Sequence, residues 1–310
     1  MKIIITSFLA CCMVSLQSCN DSDINYCPDI TPVVTPETNF YQNVSLPLLS
    51  VDNGENSIGI TCHNCYDNNS VDANDTMHLI EYAISSGVHF IELDIVIPAE
   101  DYNGPVISHE QAGSHVLLTD IVSYSGLIES EQLLFLELKG DIASKQDIRD
   151  ILNVLMSAKK SNGGFAYFNQ SRFVTMRAYK HDVTLATLRD VLLESEYAQI
   201  LPFIKFSRLH HPKTEQTLLA EIKQSYECGM HMVELDVRLG TDSLILLNAY
   251  AETLGLAVNI FTIDESNYRE SVQSLKTEVD MLTVEERNIS YSAIENSSLF
   301  DRIQTLLIGH

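Results

Sequence analysis

Gly87-Val88-His89-Phe90-Ile91-Glu92-Leu93-Asp94-Ile95 is the stretch on which the reading of this chain turns. As a strand it puts Ile91, Leu93 and Ile95 on one face and Glu92 and Asp94 together on the other. Upstream, Ile58-Gly59-Ile60-Thr61-Cys62 runs into His63-Asn64. Downstream lie Ile107-Ser108-His109-Glu110 and Leu133-Leu134-Phe135-Leu136-Glu137-Leu138-Lys139. Four strands in a row therefore end in His63, Glu92-x-Asp94, His109 and Glu137-x-Lys139. Paired carboxylates with histidines beside them suit a hard metal ion served by an acid and a base.

Working outward, apolar runs at 58–62, 88–95, 105–108, 133–138, 172–178, 200–206, 231–237, 257–263 and 279–284 alternate with amphipathic stretches. The spacing predicts a helix over 76–86 ended by Gly87, and another over 244–254 ended by Gly255. Strands alternating with helices predict a parallel sheet, and their number favours a single-domain α/β (β/α)8 TIM barrel. No G-x-G-x-x-G follows an early strand, so a dinucleotide fold is disfavoured. In such a barrel the strand C-termini converge on one face. His63, Glu92, Asp94, His109, Glu137 and Lys139 would meet there. An oxygen-rich set favours Mg2+ or Ca2+ over zinc, and Lys139 is placed to hold a phosphate oxygen.

Gly87 to Ile95 has an echo 142 residues on, Gly229-Met230-His231-Met232-Val233-Glu234-Leu235-Asp236-Val237. Half-barrel duplication would put Glu234 and Asp236 at the same mouth. There they would contact substrate or a second metal ion, or else pair structurally. His89 and His231 sit inside apolar runs and read as structural. Tyr66 and Phe261 are candidates for the pocket lining.

The ends and the charge bound the setting. Lys2, the apolar Ile3–Leu16 and Leu16-Gln17-Ser18-Cys19 resemble a bacterial lipoprotein leader with its cleavage box. The expected organisation is a signal peptide over 1–18, a lipidated Cys19, a Pro-bearing tether over 19–49 and the barrel over 50–310. Such a chain would sit in the bacterial cell envelope, periplasmic or surface-exposed, held to the membrane by its lipid; plain secretion is the alternative. A net charge of −23 excludes a nucleic-acid surface, which needs a basic footprint. Cys27, Cys62, Cys65 and Cys228 are an even set for two disulfides, with three connectivities open. Cys62-x-x-Cys65 has no second pair for zinc and no thioredoxin-like context.

These motifs together resemble the glycerophosphodiester phosphodiesterase family of the phospholipase-C-like barrels. That family opens with His-Arg-Gly and a Glu-Asn-Thr turn, then Glu-Leu-Asp-Val, Val-x-His-Asp and Glu-x-Lys. This chain has His63-Asn64-Cys65, Asn74-Asp75-Thr76, Glu92-Leu93-Asp94-Ile95, Ile107-Ser108-His109-Glu110 and Glu137-Leu138-Lys139. Toward its end Gly255-Leu256 through Thr262-Ile263-Asp264 follows the family's Gly-Leu…Trp-Thr-Val-Asn. The resemblance spans about residues 55–290, and its middle, 141–225, is unspecific.

It implies a metal ion held by Glu92, Asp94 and Glu137, acid/base roles for His63 and His109, and phosphoryl contacts from Lys139. The substrate would be a small-molecule or lipid-derived phosphodiester, with a glycerophosphodiester cleaved to glycerol 3-phosphate and an alcohol. Asn64 stands where the family has its phosphate-gripping arginine, and brings a hydrogen bond without charge. His63-Asn64-Cys65-Tyr66 also leans toward the turn of phosphatidylinositol-specific phospholipases C. A cyclising lyase of that kind or of sphingomyelinase-D type, and a catalytically weakened surface-binding barrel, are the alternatives.

Overall fold

The computed structural model describes residues 46, 48–51, 56–66, 72–98, 103–109, 116–139, 144–178, 182–286 and 298–308. The signal peptide, the lipidation site Cys19, Cys27 and most of the tether lie outside them.

The strands are β1 (Leu49–Val51), β2 (Asn56–Cys62), β3 (Phe90–Val96), β4 (Val106–Ile107), β5 (Val116–Leu117) and β6 (Leu133–Leu138). They continue with β7 (Val174–Ala178), β8 (Ile204–His210), β9 (Met232–Asp236), β10 (Ala257–Ile263) and β11 (Met281–Val284). Eight of them close into a parallel barrel in the order β2-β3-β6-β7-β8-β9-β10-β11 and back to β2. The helices are α1 (Ala73–Ser85), α2 (Leu118–Val122), α3 (Ser125–Glu129), α4 (Lys145–Ser157) and α5 (Asp182–Leu192). The rest are α6 (Glu215–Glu227), α7 (Thr241–Thr253), α8 (Tyr268–Leu275) and α9 (Leu299–Ile308). They cover the outside of the barrel.

The period-two pattern sorts side chains into two apolar layers. Ile91, Leu93 and Ile95 of β3 face outward into the large cluster shared with the helices. Phe90, Leu133, Phe135, Phe173, Met232, Ala257 and Met281 fill a second cluster inside the barrel. Most of these are first or second residues of their strands, so they plug the N-terminal end. The inward positions beyond them must then be polar, and they open at the C-terminal mouth. Gly59 belongs to the plug: a Cβ there would lie 3.0 Å from the Phe90 ring and 3.2 Å from Met281.

Helix ends follow local chemistry. Asp72, Ser144 and Thr214 cap α1, α4 and α6 through their side chains. Gly87, Gly229 and Gly255 take left-handed φ values of 71°, 68° and 77° just past α1, α6 and α7.

One expected strand is corrected. The run 105–108 does not join the barrel. Its Val106 and Ile107 form β4, which turns back antiparallel on β3 and pairs with β5. His109 therefore follows an arm that lies against β3, where the Ser108 N–H meets the Asp94 carbonyl at 3.0 Å, and is exposed. The run 200–206 also begins later than expected, as a 3-10 turn over Leu201–Phe203 that leads into β8.

Candidate active site

Glu92 and Asp94 from β3 and Glu137 from β6 point inward and are buried. Strand register sets Asp94, Glu137 and Arg177 of β7 side by side at the barrel end. One carboxylate oxygen from each of Glu92, Asp94 and Glu137 lies within 4.8 Å of the others.

Most of their oxygens already have donors. Glu92 Oε2 accepts the Asn64 backbone N–H at 2.7 Å, and Oε1 accepts Arg177 Nη2 at 2.9 Å. Glu137 Oε1 pairs with Lys139 Nζ at 2.8 Å, and Oε2 accepts Arg177 Nε at 2.8 Å. Asp94 Oδ2 accepts the Tyr66 hydroxyl at 2.6 Å. Asp94 Oδ1 is buried and has no hydrogen bond; Lys139 Nζ stands 3.4 Å away.

Arg177 is the residue the sequence reading missed. Its guanidinium is buried at the centre of the cluster and joins Glu92, Glu137 and, through Nη1, Glu234. Phe135 lies under it with the ring centroid at 5.0 Å. Burial opposes its charge, but Glu234, Glu137 and Glu92 hold it firmly protonated. The available signal was the second of two arginines in the run 172–178, Arg177, one residue before its end and at the strand position where Glu137 stands on the neighbouring strand.

Electrostatics separate the carboxylates. Burial pushes Glu92 and Asp94 above the ordinary carboxylate range. Glu137 is buried too, yet Arg177 and Lys139 hold it well below that range. His63 continues β2, its N–H bonded to the Val284 carbonyl at 2.9 Å. Burial, then the Arg177 charge, lowers its pKa, so the ring is neutral. Its Nδ1 is buried without a hydrogen-bond partner.

The other expected site residues divide. Asn64 holds Glu92 through its backbone, and its Oδ1 accepts the Tyr66 hydroxyl at 3.2 Å. Tyr66 is buried, and its hydroxyl is spent on Asp94 and Asn64. Glu234 faces the cluster but is saturated by Ser207 at 2.7 Å, Asn259 at 3.3 Å and Arg177. Asp236 is buried and engaged two residues on, accepting from the Arg238 N–H at 2.9 Å and from the Arg238 guanidinium. Phe261 stays half-buried at the end of β10, its ring edge-on to His211 at 6.2 Å.

The donor set fits a hard divalent cation. It is all oxygen, it leaves Asp94 Oδ1 unsatisfied, and among the described residues Glu92, Asp94, Glu137 and Glu234 are paired with two cations, Arg177 and Lys139. A divalent ion would favour the ionised form of Glu92 and Asp94, which burial opposes.

No protein-family model matches the chain, and no curated protein matches it in sequence. Solved structures do. A Galdieria sulphuraria protein assigned as a glycerophosphodiester phosphodiesterase superposes with a TM-score of 0.52 at 15% identity, over 74% of this chain and 94% of that one. One from Silicibacter pomeroyi, assigned as a glycerophosphoryl diester phosphodiesterase, gives 0.51 at 14% identity, over 74% and 90%. The chain has the fold of these phosphodiesterases. At this identity the likeness concerns the barrel, and the chemistry of the mouth has to be argued from this chain's own residues.

Proposed function

We propose that the chain is a metal-dependent phosphodiesterase acting on a small or lipid-derived phosphodiester of the glycerophosphodiester class. The observation that carries the reading is the juxtaposition of neutral His63 with Glu92, Asp94, Glu137 and Lys139 at the barrel mouth. Likeness of fold to phosphodiesterases supports it.

Glu92, Asp94 and Glu137 would hold Mg2+ or Ca2+. That ion would supply Lewis-acid stabilisation of a phosphoryl oxygen. Lys139, held between Asp94 and Glu137, places a second positive charge at the same rim. His63, half-buried and kept neutral by desolvation of its ring and by the Arg177 charge, is in the right state to take a proton from an attacking hydroxyl or water. His109 on the exposed arm serves as the partner that protonates the leaving alcohol. Arg177 and Tyr66 act through the carboxylates they touch, by fixing which oxygens remain available. Glu234 and Asp236 carry no step, because their oxygens are committed to Arg177, Ser207, Asn259 and Arg238.

Phosphorus NMR of glycerophosphocholine turnover tests this directly. Release of glycerol 3-phosphate, lost with EDTA and in His63→Ala, is the expected result. A cyclic phosphate that persists would instead establish the lyase reaction. Absence of turnover by the folded protein with either metal would favour the binding barrel.

The envelope setting is part of the same proposal and rests on Leu16-Gln17-Ser18-Cys19. No helix among the described residues is long and apolar enough to cross a membrane. Mass spectrometry of the mature N-terminus should find a diacylated Cys19; an unmodified N-terminus would remove the anchor.

A further inference from the structure

The Cys62–Cys65 disulfide closes the turn that follows β2, and this turn is unlike its counterpart across the barrel. Between the two cysteines sit His63 and Asn64. Asn64 has φ 50°, the one non-glycine residue with positive φ among the described residues. Asparagine tolerates this left-handed backbone better than other non-glycine residues, at a small cost. Here a covalent bond brackets it. Both cysteines are 2% exposed and pack in the apolar layer behind the mouth.

What the turn presents is a row of donors aimed at β3. The Asn64 N–H meets Glu92 Oε2 at 2.7 Å, and the Cys65 N–H meets the Glu92 carbonyl at 3.1 Å. The Tyr66 N–H folds back on the Asn64 carbonyl at 2.7 Å, which sends the Tyr66 hydroxyl to Asp94 Oδ2 at 2.6 Å. One oxygen of each carboxylate is thereby tied down. In the second half-barrel the equivalent segment, Arg208–His211, has no cross-link. There Glu234 and Asp236 find their donors elsewhere.

A cross-link spanning a sequence separation of 3 constrains the unfolded chain less than a long-range one. In the folded state it acts on the four residues it encloses. We infer that the Cys62–Cys65 disulfide is a positioning element of the site. It locks the His63-Asn64 turn so that the Asn64 amide and Tyr66 hydroxyl orient Glu92 and Asp94 for a divalent cation. The cation part of this inference rests on the function proposed above; the locking of the turn does not.

Terbium(III) is the probe, since it takes hard oxygen sites and is sensitised by tyrosine. The chain has no tryptophan to obscure this, and Tyr66 touches Asp94. Full-length protein and Cys62→Ala/Cys65→Ala are compared by terbium titration, by amide hydrogen exchange at Asn64 and Cys65, and by melting temperature. The expected result is half-saturation at a terbium concentration raised roughly tenfold or more in the double variant. Faster exchange at both amides should accompany it, with a melting temperature lowered by only several degrees. Cys62→Val/Cys65→Ala refills the buried volume and serves if the double alanine fails to fold. Equal terbium affinity with unchanged exchange would overturn the inference. If the wild type itself takes up no terbium, the cation reading of the site fails. Exchange at the two amides then decides alone: faster exchange in the variant upholds the locking role, and unchanged exchange ends it.

Discussion

The two half-barrels carry the same motif and use it differently. Gly87-x-His89-x-x-Glu92-Leu93-Asp94 on β3 and Gly229-x-His231-x-x-Glu234-Leu235-Asp236 on β9 occupy the second and sixth barrel strands. Their scaffolds coincide in detail. Both glycines are left-handed. His89 Nδ1 accepts the Ile60 N–H and His231 Nδ1 the Phe206 N–H, each at 3.1 Å, so each histidine stitches its strand to the one before. The preceding helices both span 13 residues and end at equivalent positions. The carboxylates part company. On β3 a cross-linked turn leaves Asp94 Oδ1 open. On β9, Asp236 is closed off by Arg238, and Glu234 by Ser207, Asn259 and Arg177. Neighbours leave one oxygen of the β3 pair without a hydrogen bond and engage every oxygen of the β9 pair, so the first alone keeps an oxygen free for a cation.

The largest expected effect breaks the two halves apart. Asp94→Asn should lower phosphodiester hydrolysis by about a thousandfold or more, because it alters the one open ligand oxygen. Asp236→Asn should stay within about threefold of wild type, since it touches an exposed arginine. Steady-state rates on one substrate decide this, and equal losses would abolish the distinction.

Arg177 is where the halves join, and its removal comes next. Arg177→Met leaves Glu92, Glu137 and Glu234 without their shared buried cation. Urea denaturation should show a loss of about 3–5 kcal/mol, the range for breaking a buried ion pair from one side. A loss under about 1 kcal/mol would mean that the three glutamates do not need Arg177.

His231 sharpens the comparison through pH. Burial, then the Lys205 and Arg189 charges, lowers its pKa to about 3 from the ordinary 6.5. The folded state therefore keeps the ring neutral while the unfolded chain takes up a proton below pH 6.5. Stability from this group is complete above that pH and is lost as pH falls from 6.5 toward 3. His231→Asn retains an acceptor for the Phe206 N–H but no titration. Its unfolding free energy should fall less steeply between those pH values, by up to about 1.4 kcal/mol per pH unit. Parallel slopes would contradict the buried neutral ring.

The smallest effect belongs to the shared scaffold. Gly87→Ala and Gly229→Ala should each cost about 1 kcal/mol in thermal unfolding from the left-handed backbone; at Gly87 the end of the Gln304 side chain, 3.1 Å from an added Cβ, has also to shift by a few tenths of an ångström. Clearly unequal costs would show that the two turns are not equivalent.

Much of this was legible in the sequence. The alternation in β2, β3 and β6 separates outward Ile and Leu from inward Glu92, Asp94 and Glu137, because buried strands must sort side chains by face. Gly87 and Gly255 mark helix ends for a backbone reason that needs no tertiary context. Less was legible where partners are remote. Tyr66 meets Asp94 across 28 residues, and Arg177 meets Glu92 across 85; no local pattern reports either contact. Val106 and Ile107 mislead because an apolar arm lying on β3 buries the same residue types as a barrel strand. Asp236 could have been read locally, with Arg238 two residues on.

The β3 half alone is expected to form a divalent-cation site. Calorimetric titration of EDTA-stripped full-length protein with Mg2+ and Ca2+, beside Asp94→Asn and Asp236→Asn, tests it most directly. One site in the wild type, kept in Asp236→Asn and lost in Asp94→Asn, is the predicted result. No binding of either ion, or loss in both variants alike, would contradict it.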